Sequence, residues 1–465
     1  MSNQLAFFQT TPRWYLAVLG ILFVLYLSFW IASAQGLDHA YVHPGVLSSQ
    51  GQLIIAVNGD SGEYVALATS LLHGHFALPG EAFEYFRTPG YPGVIAAVEF
   101  LGGSYATVTF LQILLTFCVA LMVSALGARF FSARTGMLAS ILFLLNPLIL
   151  DLSLQVMSDI SFTFLFVLGI TILLLQFNRH PLYSVLFSAL IFAAASYVRP
   201  AGAVMLPLFI APIIIASASW SRKFWSAILL VIVFMLALLP WMLRNYHDSG
   251  VLSFSSLAAY NFTAYNVPMF EAALHKDDPL AERFAMQTAI GIPLEQWRDL
   301  SVSASLERYD RTAILAHPVR YGAYHIFEST GFFVNSGFQP LLAYMSGPFH
   351  YTVAPSSQLN LKDLLIHGQI PLFIKTLTTP WWLFGERILL VLGMCLIVVA
   401  LYVQRRSAFA WMAVFIILYF AELAGPIAEA RYRIPCTPFI ELLIASGLLA
   451  LWPIVRTRFI KLCRS

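Results

Sequence analysis

Residues 159–177 read DISFTFLFVLGITILLLQF: one acid, then eighteen residues without a charge. A helix needs about 20 such residues to cross roughly 30 Å of hydrocarbon. In lipid the backbone must close its own hydrogen bonds, so helix is the expected state. Nine more segments of this kind lie at 14–34, 104–126, 136–152, 182–198, 200–219, 224–241, 383–403, 408–424 and 434–455. The weakly apolar stretch Pro318–Val334 lies in the interface or dips into the membrane. The expected fold is an all-α polytopic membrane protein with about 10–13 spans, outer-face loops and amphipathic interfacial helices.

Composition agrees. The 465 residues are 59% hydrophobic and 11% charged, against roughly 25% charged in a soluble domain. The first segment is too long for a signal-peptide core and no small-residue cleavage site follows it, so it is expected to be retained. Cys118, Cys395, Cys436 and Cys463 are scattered without metal-ligand spacing and read as packing residues.

The net charge of +3 says little, but its placement says more. Arg13, Arg129, Arg134, Arg179, Arg222, Lys223, Arg405, Arg406, Arg456, Arg458, Lys461 and Arg464 fall in alternate loops and the tail, where no acid lies. Excess Lys and Arg mark the cytoplasmic side, so both termini are expected there. The short loops suit a bacterial inner membrane with a periplasmic active face. The basic tail is a topology anchor, and no nucleic-acid role is read from it.

The expected organisation has three parts. Residues 1–241 form an N-terminal transmembrane catalytic module, including a first outer loop at 35–103. Residues 242–382 form a long periplasmic loop or subdomain. Residues 383–465 form the C-terminal helices and basic tail.

Ionisable groups nearly avoid the span cores. Glu441 is the deepest acid, and Asp159 and Glu422 mark span ends. Transporter pathways place such groups near the midplane, so chemistry is expected at the outer boundary instead. Arg87, Arg199, Arg244, Arg431 and Arg433 also lie outside, against the charge bias, most of them beside proline or tryptophan. Each alone is explained by snorkelling. Together they suit one anionic ligand at that depth, a lipid-linked phosphate held by guanidinium forks.

The first outer loop holds GDSGEY at 59–64. Asp60 and Glu63 have capping-box spacing, and Tyr64, Leu67, Ala68, Leu71 and Leu72 have helical spacing. One reading is an interfacial helix with Asp60 as its cap. The other makes Asp60 a catalytic carboxylate, with Asp159 arriving at the same rim. Tyr85 and Tyr91 flank Arg87 and are candidates for stacking on sugar, although an interfacial role is the favoured reading. His39, His43, His73 and His75 lack a zinc-like partner set, and Asp277, Asp278, Glu282 and Arg283 read as a solvated face.

The order GDSGEYVALATSLLHG, RTPGYP, MSDI, PWMLRN, ARYRIP, threaded through these spans, resembles the membrane-embedded C-type glycosyltransferases. The bacterial relatives of protein O-mannosyltransferases and of the lipid A aminoarabinose transferase are the nearest in pattern. The resemblance covers the first seven spans well, the last two moderately, and 250–360 loosely. It implies a polyprenyl-phosphate-linked sugar donor, a lipid, glycan or protein acceptor, and transfer with inversion. It also implies Asp60 as the catalytic acid of the first loop, Asp159 as the second acid and Arg87 as a donor-phosphate contact. Glu63 stands three residues after Asp60, where many members have adjacent acids. Some members use a divalent cation, so the resemblance leaves room for one at Asp60. A transporter or flippase for a lipid-linked glycan, or a diphosphate-donor polysaccharide polymerase or ligase, are the alternatives.

Overall fold

In this computed structural model the chain is described over residues 12–42, 59–337, 370–371 and 381–462. Every regular element among the described residues is helical. The first half comprises α1 (Arg13–Val42), α2 (Gly59–Leu72), α3 (Gly90–Phe100), α4 (Tyr105–Phe130), α5 (Ala133–Leu145), α6 (Pro147–Ser153), α7 (Ser158–Gln176), α8 (Pro181–Val198), α9 (Leu206–Ile215) and α10 (Trp220–Ser249). A string of shorter helices follows: α11 (Leu257–Asn261), α12 (Val267–His275), α13 (Pro279–Ile290), α14 (Ser303–Ala316), α15 (Pro318–Ser329) and α16 (Gly331–Val334). The chain closes with α17 (Trp381–Val403), α18 (Ala408–Ala424) and α19 (Thr437–Leu462).

Eight helices are long and apolar enough to cross a membrane, or nine if α5 and α6 count as one bent span. The protein is therefore a multi-pass membrane protein. The count among the described residues is below the expected 10–13, and proline is the cause in two places. The segment 136–152 breaks by 59° between α5 and α6. Pro147 forces Asn146 out of the helical region, and the Asn146 carboxamide caps the new start by accepting from Leu148 N at 3.1 Å. The segment 200–219 opens on Pro200 with a 3₁₀ turn and leaves only the ten-residue α9, with Pro212 inside it. The stretch Pro318–Val334 forms the twelve-residue α15 and the four-residue α16, each too short to span.

Lipid tails are as apolar as leucine, so close packing must hold the spans together. The crossing of α4 and α5 shows how. A Cβ on Gly136 would lie 2.2 Å from the Ser124 carbonyl oxygen, so only glycine lets these backbones meet. Aromatic rings fill the interior, with Phe192 stacked on Phe209 at 4.0 Å between ring centroids. α7 and α19 are the most enclosed spans, with about two thirds of their windows buried, whereas α10 and α17 present most of theirs outward. The start of α7 and the 3₁₀ turn Ala430–Cys436 before α19 lie beside the site.

The α11–α14 region has a second small core of Ala264, Val267, Met286, Trp297 and Leu306. It is tied to the first loop by two serines just before α11. Ser256 N donates to Tyr85 O at 3.0 Å and Ser255 Oγ to Phe86 O at 2.8 Å.

Candidate active site

α2 starts at Gly59, so Asp60 stands inside its first turn, at the positive end of the helix dipole. Its two oxygens reach different guanidinium groups. Arg87 Nη2 lies 2.6 Å from Oδ1, and Arg431 Nη1 lies 2.8 Å from Oδ2. Glu63, one turn on, accepts at Oε2 from Arg87 Nε at 2.7 Å and from Arg298 Nη2 at 2.9 Å. The i, i+3 spacing that suggested a capping box thus aims two carboxylates at one arginine.

Burial alone would push the Asp60 carboxyl up, but Arg87 and Arg431 beside it hold it down at about 2. Burial alone would lower Arg87, but Tyr64, Asp60 and Glu63 raise it above its ordinary value. Both groups are therefore ionised throughout the ordinary pH range.

Arg87 owes its position to the loop before α3. Glu84 Oε1 accepts from the backbone N–H of Phe86 at 2.6 Å and of Arg87 at 2.7 Å, folding the chain back under the side chain. The Arg87 guanidinium lies over the rings of Phe86 and Tyr64, at 4.8 and 5.1 Å. Gly90 seats the turn directly on the end of α8, because a Cβ there would lie 2.4 Å from the Tyr197 carbonyl carbon.

The second acid approaches from α7. Tyr64 Oη and Ser158 Oγ share a hydrogen bond of 3.0 Å, and Ser61 Oγ donates to Met157 Sδ at 3.3 Å. These contacts dock α2 on the start of α7, where Asp159 is fully buried. Asp159 Oδ1 accepts from Arg199 Nη1. Its other oxygen, Oδ2, is buried with no hydrogen-bond partner among the described residues. Arg199 and Arg431 both face the Tyr432 ring, at 5.6 and 5.3 Å, which links the Asp60 and Asp159 halves.

The five arginines expected to share an anion divide. Arg87, Arg199 and Arg431 meet the carboxylates. Arg244 donates to the Glu84 carbonyl oxygen at 2.8 Å and to Asn245 Oδ1 at 2.9 Å, and it lies 3.3 Å from Asp248. Arg433 is buried and donates to the carbonyl oxygens of Phe332 at 2.8 Å and Asn335 at 2.6 Å. Arg433 thus holds backbone, and Arg244 holds one carbonyl oxygen together with two side chains of its own helix. Tyr91 is fully buried, with its hydroxyl on Gln112 Oε1 at 2.7 Å and its ring against Tyr64, so it has no face open to a sugar. Tyr85 is buried beside Arg244, 5.5 Å from its guanidinium.

Arg298 and Tyr432 join the site without having been singled out. Arg298 sits in QWRDL, far along the chain from Glu63, and no spacing connects the two. Tyr432 lies inside the ARYRIP motif, between Arg431 and Arg433.

With Arg87 and Arg431 in place, Asp60 offers no open oxygen to a divalent cation. Both oxygens are held by guanidinium groups, and a cation would have to displace two positive neighbours. His73 and His75 turn their Nδ1 atoms to the carbonyl oxygens of Thr69 and His73, at 2.8 and 3.3 Å. The side chain of His39 and all of His43 lie outside the described residues. Glu282 is buried rather than part of a solvated face, and its Oε1 lies 2.7 Å from His275 Nδ1.

The fold has relatives among solved structures. The apo form of the oligosaccharyltransferase of Archaeoglobus fulgidus matches at a TM-score of 0.51 and 14% identity, over 97% of this chain and 52% of that one. The same enzyme tethered by a disulfide bond with an acceptor peptide containing the NVT sequon gives 0.52 and 14%, over 96% and 51%. ArnT from Cupriavidus metallidurans in the apo state gives 0.38 and 11%, over 91% and 76%. The chain thus spans about half the length of the oligosaccharyltransferase. No protein-family model and no curated protein matches it. At these identities the likeness concerns the fold alone, which the chain shares with the membrane-embedded oligosaccharyltransferase.

Proposed function

We propose that the protein is a glycosyltransferase that moves a hexosyl or pentosyl group from a polyprenyl-phosphate-linked donor to a lipid, glycan or protein acceptor. The reaction would take place at the periplasmic face of the bacterial inner membrane. The observation that supports this best is the pair of acids from separate loops, Asp60 and Asp159, each bound to guanidinium groups in one cluster. The buried Oδ2 of Asp159, unpartnered among the described residues, leaves an acceptor site for a polar ligand group.

Without donor, the carboxylates hold Arg87, Arg199 and Arg431 in place. The donor phosphate competes for the same forks. As Arg87 and Arg431 turn toward phosphate, Asp60 loses the two charges that hold its carboxyl at about 2, and its basicity recovers. Donor binding therefore arms the base. The acceptor hydroxyl or amine attacks the anomeric carbon opposite the phosphate and gives its proton to Asp60. The bond between the anomeric carbon and the phosphate oxygen breaks, and polyprenyl phosphate leaves on the arginines. One displacement inverts the centre, by analogy with the carboxylate logic of glycoside hydrolysis. Asp159 orients the acceptor, and Glu63 holds Arg87 and Arg298.

The test uses purified protein in liposomes with radiolabelled polyprenyl-phosphate sugars. Wild type should consume a donor and release polyprenyl monophosphate. Asp60→Asn, shown to be folded by size exclusion, should lose at least about a hundredfold in turnover. Binding without turnover in both proteins would favour a transporter or flippase, and release of a diphosphate would favour a polymerase or ligase.

A further inference from the structure

Away from the arginine cluster, α12 and α13 meet at a tight corner. Lys276, between them, has φ 60°, in the left-handed region that a non-glycine residue seldom occupies. Asp278 then caps α13, accepting from Leu280 N at 2.6 Å. The corner brings three potential ligands together. Glu271 and His275 are four residues apart on α12 and so share one face. Glu282, in the first turn of α13, faces them.

One ligand atom from each of Glu271, His275 and Glu282 lies within 4.8 Å of the others. The atoms around a tetrahedral zinc ion, with bonds of about 2.0–2.2 Å, stand roughly 3.3–3.6 Å apart. Small side-chain rotations close that difference. The three groups differ in exposure in a way that suits a ligand set. Glu282 is buried, Glu271 half-buried and His275 exposed, so an ion could enter from solvent and end against the buried carboxylate. Burial pushes the Glu271 carboxyl up and Glu282 adds to this, while His275 and His317 stand near enough to oppose it.

We propose that Glu271, His275 and Glu282 bind one divalent transition-metal cation of the zinc class, which pins α12 to α13. His317 or water completes its coordination. The small core of this region explains what the ion would be for. Five buried apolar side chains, with partly buried neighbours such as Tyr260, Tyr265 and Ile290 packed on them, make a small core for four helices, and a metal cross-link would supplement it. The same region carries Arg298, which reaches Glu63, so the cross-link would steady one edge of the arginine cluster.

The test uses the full-length protein in detergent, stripped with a chelator and titrated with Zn²⁺ alone. Bound metal is counted by elemental analysis and thermal unfolding is followed alongside. Wild type should bind one Zn²⁺ per chain and unfold at a higher temperature with it. His275→Ala should weaken binding at least tenfold and lose the thermal shift. The His275 side chain is 59% exposed, so this variant should fold without metal. Glu271→Gln is the second variant and should weaken binding similarly. Asp60→Asn should bind as wild type does. Absence of stoichiometric binding by wild type would overturn the proposal, leaving a histidine–glutamate hydrogen bond only. So would wild-type affinity in both corner variants, or loss of the ion in Asp60→Asn, which would move it to the arginine cluster.

Discussion

Arg431 Nη1 lies 2.8 Å from Asp60 Oδ2, so the turn leading into the last span touches the first turn of the first described loop helix. That contact closes the site across nearly the whole chain. It also makes Asp60 part of an ion-pair network whose energetics are open to measurement.

The carboxyl of Asp60, ordinarily at 3.8, is held at about 2. A depressed carboxylate stabilises the fold above its unfolded value and loses that contribution as pH falls through its folded value. The window is therefore pH 4 down to 2. At about 1.4 kcal/mol per unit the contribution is about 2 kcal/mol. Thermal unfolding from pH 5 to pH 2 should fall more steeply for wild type than for Asp60→Asn. Parallel curves would show that the two arginines do not hold this carboxylate in solution.

Arg431 and Arg433 are two residues apart and should fail differently when removed. Arg433→Ala leaves the buried Phe332 carbonyl and the more open Asn335 carbonyl without their donor and should cost about 1–3 kcal/mol of stability. Arg431→Ala should cost about 1 kcal/mol, since its partners are partly exposed. It should nevertheless reduce sugar transfer at least about tenfold, or one unit of 1.4 kcal/mol. Measuring unfolding temperature and donor turnover on both variants checks the division. The reverse pattern would exchange the roles.

Gly90→Ala tests the seat of Arg87. The new Cβ would meet backbone atoms of Tyr197 and Val198 at 2.4–2.6 Å, and backbone cannot step aside as a side chain can. The turn must shift, at about 3 kcal/mol, carrying Arg87 away from Asp60. Both unfolding temperature and transfer should fall. A variant matching wild type in both would mean that the turn does not press on α8.

Glu63 and Arg298 should show coupling. In a double-mutant cycle with Glu63→Gln and Arg298→Gln, the unfolding free energies should be non-additive by about 1 kcal/mol, as their 2.9 Å contact and partial exposure imply. Strict additivity would mean that the α11–α14 region does not lean on α2 through this pair.

Much of the architecture was legible because membrane helices are written locally. A run such as 159–177 must satisfy its own backbone, whatever surrounds it. Where the reading overcounted, proline was the reason, since the apolar runs at 136–152 and 200–219 meet the length criterion but Pro147, Pro200 and Pro212 interrupt them. Asp60, Asp159 and Arg87 stood out because charges in so apolar a chain are rare.

The sequence by itself determined that the chain is helical and membrane-spanning, and which polar residues it sets beside the ends of its spans. Tertiary structure decided which of those residues meet. Arg431 turns to a carboxylate while Arg433, two residues on, turns to carbonyl oxygens, although both sit in one short motif. Arg298 reaches Glu63 from a region with its own core, and Tyr91 points inward beside an arginine that points to the site. Helix formation depends on neighbours within a few residues, whereas the partner of a guanidinium depends on which distant backbone arrives beside it.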